Sequence, residues 1–208
     1  MKKIMKVVGV ALCLVAFGQT AKAQFSAGVN AALPMGNVGD VISLGFGVSL
    51  GYDYALDDKM SIGGEAGFTF FPTKDPDFIE DKYADGTKHY DSYSRSYSMI
   101  PILANFKYYF ADNTNGLYGI GSLGLTSLMY KVSYTRNEQK IDWTPSTGWS
   151  YSYEKKSYED SFSGTYLSFG AGLGYIINEK IDLSARYLTV SSKGGSSSFL
   201  NIRAAYNF

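Results

Sequence analysis

Phe199-Leu-Asn-Ile-Arg-Ala-Ala-Tyr-Asn-Phe208, the last ten residues of the chain, decide the fold. Leu200, Ile202, Ala204, Tyr206 and Phe208 share one parity; Phe199, Asn201, Arg203, Ala205 and Asn207 share the other. Successive side chains of a strand point to opposite faces. The segment therefore reads as a strand with one apolar face ending in aromatics and one mostly polar, charged face.

The same parity extends upstream. Over Val41–Leu56, Ile42, Leu44, Phe46, Val48, Leu50, Tyr52 and Tyr54 alternate with Ser43, Gly45, Gly47, Ser49, Gly51 and Asp53, a strict period of two. Phe25–Leu33, Met60–Phe70, Ser96–Phe110, Tyr166–Ile177 and Ile181–Val190 repeat the pattern. Leu117–Tyr134 is strand-like, but Leu123 and Leu125 disagree in parity with Tyr118 and Ile120, which suggests a bulge. With the last segment these make eight strands. Asp57–Lys59, Ala111–Gly116 and Asn178–Lys180 are short connections; Pro72–Tyr93 and Thr135–Phe162 are long; Pro34–Asp40 and Ser191–Ser197 are intermediate.

Charge decides which face is wet. Asp53, Glu65, Lys107, Asp182, Arg186 and Arg203 all lie on the small, polar parity. A lipocalin-like soluble barrel would put its apolar face inside. Here the apolar face carries no charge through the middle of the strands, as a lipid contact requires, since a charge there costs about 2–4 kcal/mol at mid-bilayer. Tyr52, Tyr54, Tyr108, Phe110, Tyr175, Tyr206 and Phe208 end the downward strands on the apolar face as one aromatic girdle; Phe68, Phe70 and Tyr187 belong to the other. The expected fold is all-β: an eight-stranded, antiparallel, up-and-down transmembrane β-barrel with a packed polar interior, short periplasmic turns and long outside loops.

The N-terminus fits export. Met1–Lys6 is basic, Val7–Gly18 is apolar, and Ala21-Lys-Ala23 has the small-x-small form of a cleavage site. Residues 1–23 are thus expected to be a signal peptide and 24–208 the barrel domain. Without the leader, Lys and Arg fall from 19 to 15 against 19 acidic residues, a balance that argues against a nucleic-acid partner. The sole cysteine, Cys13, leaves with the leader, so the mature chain carries no disulfide.

The terminal strand resembles the closing strand of bacterial outer-membrane barrels, where this segment is read by the barrel-assembly machinery. The resemblance implies that role for Tyr206 and Phe208. Ser98-Met-Ile-Pro-Ile-Leu-Ala-Asn-Phe-Lys-Tyr-Tyr-Phe110 and the following Leu117-Tyr-Gly-Ile-Gly121 resemble a paired motif of small outer-membrane β-barrels of the Bacteroidetes, a family that includes PorT-like proteins. The resemblance implies outer-membrane lipid around the chain and brings no shared catalytic residue.

Chemistry has few footholds. Small-barrel enzymes use a His near the outer rim; the one histidine, His89, lies beside Asp91 and Ser92, ordinary loop composition. Asp75–Asp81 is acidic but lacks a regular calcium-loop pattern. No cofactor or metal is expected. Trp143, Trp149, Tyr151, Tyr153 and Tyr158 in the longer loop could meet an extracellular protein or glycan, or pair across an extended hairpin, the preferred reading. Inside the barrel, Asn30, Glu65, Asn105, Arg186 and Arg203 share one depth by residue count, so Glu65 is expected to meet both guanidiniums with the Asn side chains completing the bonds. The functional expectation is a non-enzymatic envelope-structural or surface-interaction role through the outside loops. The alternatives are an accessory component of a secretion system and an outer-membrane lipid-modifying or proteolytic enzyme using His89. Intact mass of the membrane-extracted protein should begin at Gln24; a mature protein retaining residues 1–23 would exclude processing after Ala23.

Overall fold

The computed structural model describes residues 23–73, 78–82, 88–111, 115–144, 146, 148–192 and 195–208; the expected leader, apart from Ala23, lies outside them. The elements are β1 (Ala23–Met35), the one-turn helix α1 (Val38–Val41), β2 (Gly45–Ala55), β3 (Met60–Pro72), β4 (Phe78–Lys82), β5 (Lys88–Tyr109), β6 (Gly116–Thr144), β7 (Gly148–Ile177), β8 (Ile181–Ser192) and β9 (Gly195–Asn207). Eight of the strands form a ring in the order β1-β2-β3-β5-β6-β7-β8-β9, every pair antiparallel. β9 closes onto β1 from Ser26↔Asn207 to Met35↔Ser198. β4 is not a stave; it pairs with the far end of β5, from Phe78↔Ser92 to Lys82↔Lys88.

Parity sets the two surfaces. Val29, Val48, Leu50, Ile102, Leu173 and Ile202 point outward and are more than half exposed, a continuous apolar belt. Ser26, Asn30, Glu65, Asn105, Lys107, Asp182, Arg186 and Arg203 are buried inside. Staves such as β2, with 11 residues, and β1, β3 and β9, with 13 each, match the ~9–11 residues needed to cross hydrocarbon when tilted.

Four expectations change. β6 has no bulge: its register runs unbroken from Tyr90↔Asn137 to Tyr109↔Tyr118 on one side and from Gly116↔Ile176 to Thr144↔Gly148 on the other. Its parity looked blurred because Tyr118 and Ile120 are buried lumen residues, while Leu123 and Leu125 face out. The strand expected from Val41 begins at Gly45, because residues 38–41 make a helical turn. Ile42 is accordingly buried, bridged to Thr73, rather than set on the lipid face. Finally, the Pro72–Tyr93 connection is partly strand, holding β4 and the start of β5, whereas Thr135–Phe162 is the extended hairpin expected of it.

The interior is layered rather than uniformly polar. Toward the long connections, Ala32, Ile42, Phe71, Met99, Leu103, Leu188, Val190 and Phe199 form an apolar cluster. Toward the short turns, Tyr109, Tyr118, Ile120 and Ile176 form a second. The charges lie between them. The rim of short turns is clasped at Glu179. In the three-residue connection between Ile177 and Ile181, Asn178 and Glu179 both adopt positive φ, 51° and 61°, and the Lys180 N–H closes the turn on the Ile177 carbonyl at 3.1 Å. The Glu179 carbonyl accepts from Gln24 Nε2 at 3.0 Å and Asn207 Nδ2 at 3.1 Å, and its N–H donates to Asn115 Oδ1 at 2.8 Å. First stave, last stave and a neighbouring turn thus meet on one residue.

One inward glycine makes room for the lower cluster. Gly174 is the cross-strand partner of Tyr118, and a Cβ there would run into the Tyr118 ring. Gly174→Ala should therefore lower urea resistance by about 1–3 kcal/mol through overpacking. Gly121→Ala, where a Cβ meets nothing within 4 Å, should be close to neutral. Equal midpoints, followed by the heat-modifiable folded band, would show that the ring does not depend on that gap.

Candidate functional site

Two regions carry polar chemistry: the lumen, and the sheet standing above it. In the lumen, Glu65 on β3 faces Arg186 on β8. Arg186 Nη2 donates to Glu65 Oε1 at 2.7 Å and Nη1 reaches Oε2 at 3.5 Å, a two-pronged pair with both side chains 6% exposed. Arg186 Nη1 also donates to Asn105 Oδ1 at 3.2 Å and Ser122 Oγ at 3.0 Å. Ser122 in turn donates to Asn105 Oδ1 at 2.7 Å.

Arg203 does not share Glu65 equally. Its Nε is 3.9 Å from Glu65 Oε2, beyond hydrogen-bond reach. It donates instead to Ser49 Oγ at 2.9 Å, Ser26 Oγ at 2.8 Å and Asp182 Oδ2 at 3.4 Å. Asn30 is held by Ser49, whose Oγ donates to Asn30 Oδ1 at 3.1 Å, and touches neither guanidinium directly through any of these bonds. Glu65 thus lies between the two guanidiniums as expected, hydrogen-bonded to Arg186 and within ion-pair distance of Arg203, and the arrangement continues as a chain.

Asp182 extends that chain to a cluster the residue count did not foresee. Lys107 Nζ lies 3.1 Å from Asp182 and 2.9 Å from Asp53. Tyr118 donates its hydroxyl to Asp182 Oδ1, and its ring lies 4.9 Å below Lys107 Nζ. Three carboxylates, Asp53, Glu65 and Asp182, thus oppose three cations, Lys107, Arg186 and Arg203. The parity of Asp53, Lys107 and Asp182 was legible in the sequence; their convergence depends on the stagger between staves.

Above the ring, β5, β6 and β7 continue as one sheet. Tyr134 and Tyr158 stack across it with ring centroids 6.3 Å apart. Tyr130 is the partner of Phe162, and Trp143 of Trp149, so the hairpin reading of the longer connection describes the backbone. The lumen-side parity of this sheet carries Tyr130, Val132, Tyr134, Tyr158 and Phe162, with Phe162 65% exposed. The other side is polar: Lys131 pairs with Glu159 at 2.9 Å, and Thr135 and Ser157 hydroxyls meet at 3.3 Å. β8 pairs with β7 only from Leu167 to Ile177. Among the described residues, no strand covers the other edge of β7 over residues 148–166.

The residues considered for catalysis, His89, Asp91 and Ser92, all lie on β5. The backbone of His89 pairs with Asp81 in the β4–β5 hairpin, with Asp91 opposite Ile79 and Ser92 opposite Phe78. Of the acidic run, residues 75–77 lie outside the described residues and the remainder falls in β4. Among the described residues, no group of three or more His, Cys, Asp or Glu is placed to hold a metal ion.

Comparison with known proteins agrees with the ring. The model of the outer membrane protein beta-barrel domain family matches residues 9–208, and the chain belongs to that family. Among solved structures, the attachment invasion locus protein Ail of Yersinia pestis, in complex with the heparin analogue sucrose octasulfate, is similar at 16% identity. The match covers 89% of this chain and 97% of that one, with a TM-score of 0.53. Ail crystallised alone matches at 14% identity over the same shares with the same TM-score. Neisserial surface protein A is similar at 13% identity over 90% of this chain and 98% of that chain, with a TM-score of 0.44. Nothing among curated proteins matches the chain.

Burial separates the ion pairs. Glu65 is 6% exposed beside Arg186, whereas Glu159 is 58% exposed beside Lys131. Glu65→Gln should cost about 3–5 kcal/mol in urea unfolding, because it leaves a buried guanidinium uncompensated. Glu159→Gln should cost less than about 1 kcal/mol. Similar midpoints for the two variants would mean that the lumen pair is wet in the membrane.

Proposed function

We propose that this member of the outer-membrane β-barrel family is a non-enzymatic surface-interaction protein, and that its outer sheet takes up an extended polypeptide segment along β7. The open edge at residues 148–166 carries the proposal. A strand edge presents alternating N–H and C=O groups, and another extended backbone satisfies them in register. A glycan has no such repeat. Tyr158 and Phe162, 58% and 65% exposed, supply apolar anchors on one side of that edge. Ser157, Ser161 and Ser163 leave the other side unobstructed. Lys155 and Lys156 precede Glu159 and Asp160 along the edge, so an incoming strand would be selected by its own order of charges.

The likeness of Ser98–Phe110 to PorT-like barrels supports a second reading, an accessory part of a secretion system. Much of that motif is used within the wall, however: Pro101 is fully buried, Asn105 binds Arg186, and Lys107 binds Asp53 and Asp182. Within the first proposal the leader exports the chain, and Tyr206 and Phe208 are the segment read during barrel assembly. Their rings meet edge-on at 5.3 Å outside the ring, and Phe208 is 76% exposed.

Two measurements test these readings. A photo-crosslinker at Ser161 on intact cells should trap a polypeptide, and Tyr158→Ser with Phe162→Ser should lower the yield roughly tenfold or more, as loss of interface anchors does. The folded band should be unchanged; an equal yield from the double variant, or a glycan adduct, overturns the strand-addition reading. Deleting Phe208 should leave unfolded chain in the periplasm, and normal assembly of that variant would remove the targeting role.

A further inference from the structure

The lipid-facing wall is concave near the seam between first and last staves. One outward row runs Ala27, Leu50, Ala66, Ile102 across β1, β2, β3 and β5, so small and large residues alternate. The next row toward the short turns runs Phe25, Tyr52, Gly64, Ala104, two aromatics beside two small residues. Between the walls lies a groove of about 440 Å³ whose lining includes Leu50, Tyr52, Gly64, Ala66, Ile102 and Phe208. Its lower rim is fixed. The Phe25 and Tyr52 rings pack with centroids 5.0 Å apart, and the Phe208 N–H donates to the Phe25 carbonyl at 2.8 Å.

We propose that this groove binds one acyl chain of a phospholipid in the leaflet beside the short turns. Three arguments lead there. The groove opens on the apolar belt, where an unpaired polar group costs several kcal/mol, so its occupant is apolar. Its volume falls in the range of ~300–1,000 Å³ typical of small-molecule clefts. A specific protein partner needs a face of ~800 Å² on each side, and a concavity of this size supplies only a fraction of one. The third argument is depth. Tyr52 and Phe208 stand in the aromatic girdle, which lies at headgroup level. A chain seated on Gly64 and Ala66 therefore descends from a headgroup beside those rings. The inference requires only that the barrel spans the membrane, and it is independent of what β7 takes up.

The test uses the full barrel, refolded lipid-free in mild detergent and titrated with a diacyl phosphatidylethanolamine of sixteen-carbon chains, about the length that spans one leaflet of a ~30 Å core. Native mass spectrometry should show one lipid retained per barrel. Ala66→Leu fills the groove and should reduce retention at least roughly five-fold, the loss of one or two buried methylenes. Ala185→Leu makes the same change on the outward face of β8, away from the groove, and should leave retention unchanged. The heat-modifiable band of each variant establishes that it is folded; should Ala66→Leu fail to fold, Gly64→Ala replaces it with the same expectation of weaker retention. No retained lipid, or equal retention in the groove-filling and control variants, overturns the proposal. A barrel dimer that the groove-filling variant abolishes also overturns it and makes a second copy the occupant.

Discussion

Hydrocarbon offers no hydrogen bonds, so every backbone N–H and C=O crossing it must find a partner within the protein. The pairing of β9 with β1, from Ser26↔Asn207 to Met35↔Ser198, is where that constraint is met. Without this seam both terminal staves would present unpaired edges to lipid. Once the ring is closed, the period of two does the rest. Each stave must send one parity to lipid and the other into a lumen too narrow to stay open with eight strands. Closure also explains the Glu179 clasp. The left-handed backbone at a glutamate carries strain of about 1–2 kcal/mol, offset by bonds that tie Gln24 and Asn207 to the same carbonyl.

The lumen then has to bury what the polar parity delivers. Isolated ions would be intolerable there, and removing water from a pair can cancel much of its attraction. The arrangement is stable because no cation depends on one partner: Arg186 has Glu65, Asn105 and Ser122; Arg203 has Asp182, Ser49 and Ser26; Lys107 has Asp53 and Asp182. The apolar clusters above and below confine this network to one depth. The interior is thereby filled, and what is left open lies outside it: the β7 edge above the ring and the groove in the wall.

Strand identity, the orientation of each face and the ring were legible because all three depend on local alternation. The charges of Asp53, Glu65, Lys107, Asp182, Arg186 and Arg203 could be assigned inward one residue at a time. The meeting of Glu65 with Arg186 and Asn105 followed from residue count, but the convergence of Asp53, Lys107 and Asp182 did not, because contact across a lumen depends on stagger accumulated over several staves. Arg203 does lie 3.9 Å from Glu65, but its bonds to Asp182, Ser49 and Ser26 were not foreseen. β6 misled for a different reason: aromatic and aliphatic side chains, Tyr118 and Ile120, occupy lumen positions, so apolar character ceased to mark the outer face. The extension of β6 and β7 was legible from the aromatics of Thr135–Phe162, whereas β4 and the start of β5 were hidden because polar residues on a solvated sheet resemble loop composition.

The balanced lumen has an electrical consequence. A voltage across a membrane does work on net charge displaced along the normal, about 2.3 kcal/mol per elementary charge for each 100 mV. Here three negative and three positive groups are cross-linked at nearly one level, with apolar plugs on either side. Their sum is zero, and they cannot separate without breaking the network. The lumen network therefore holds many charges yet offers almost no net charge for a potential to move.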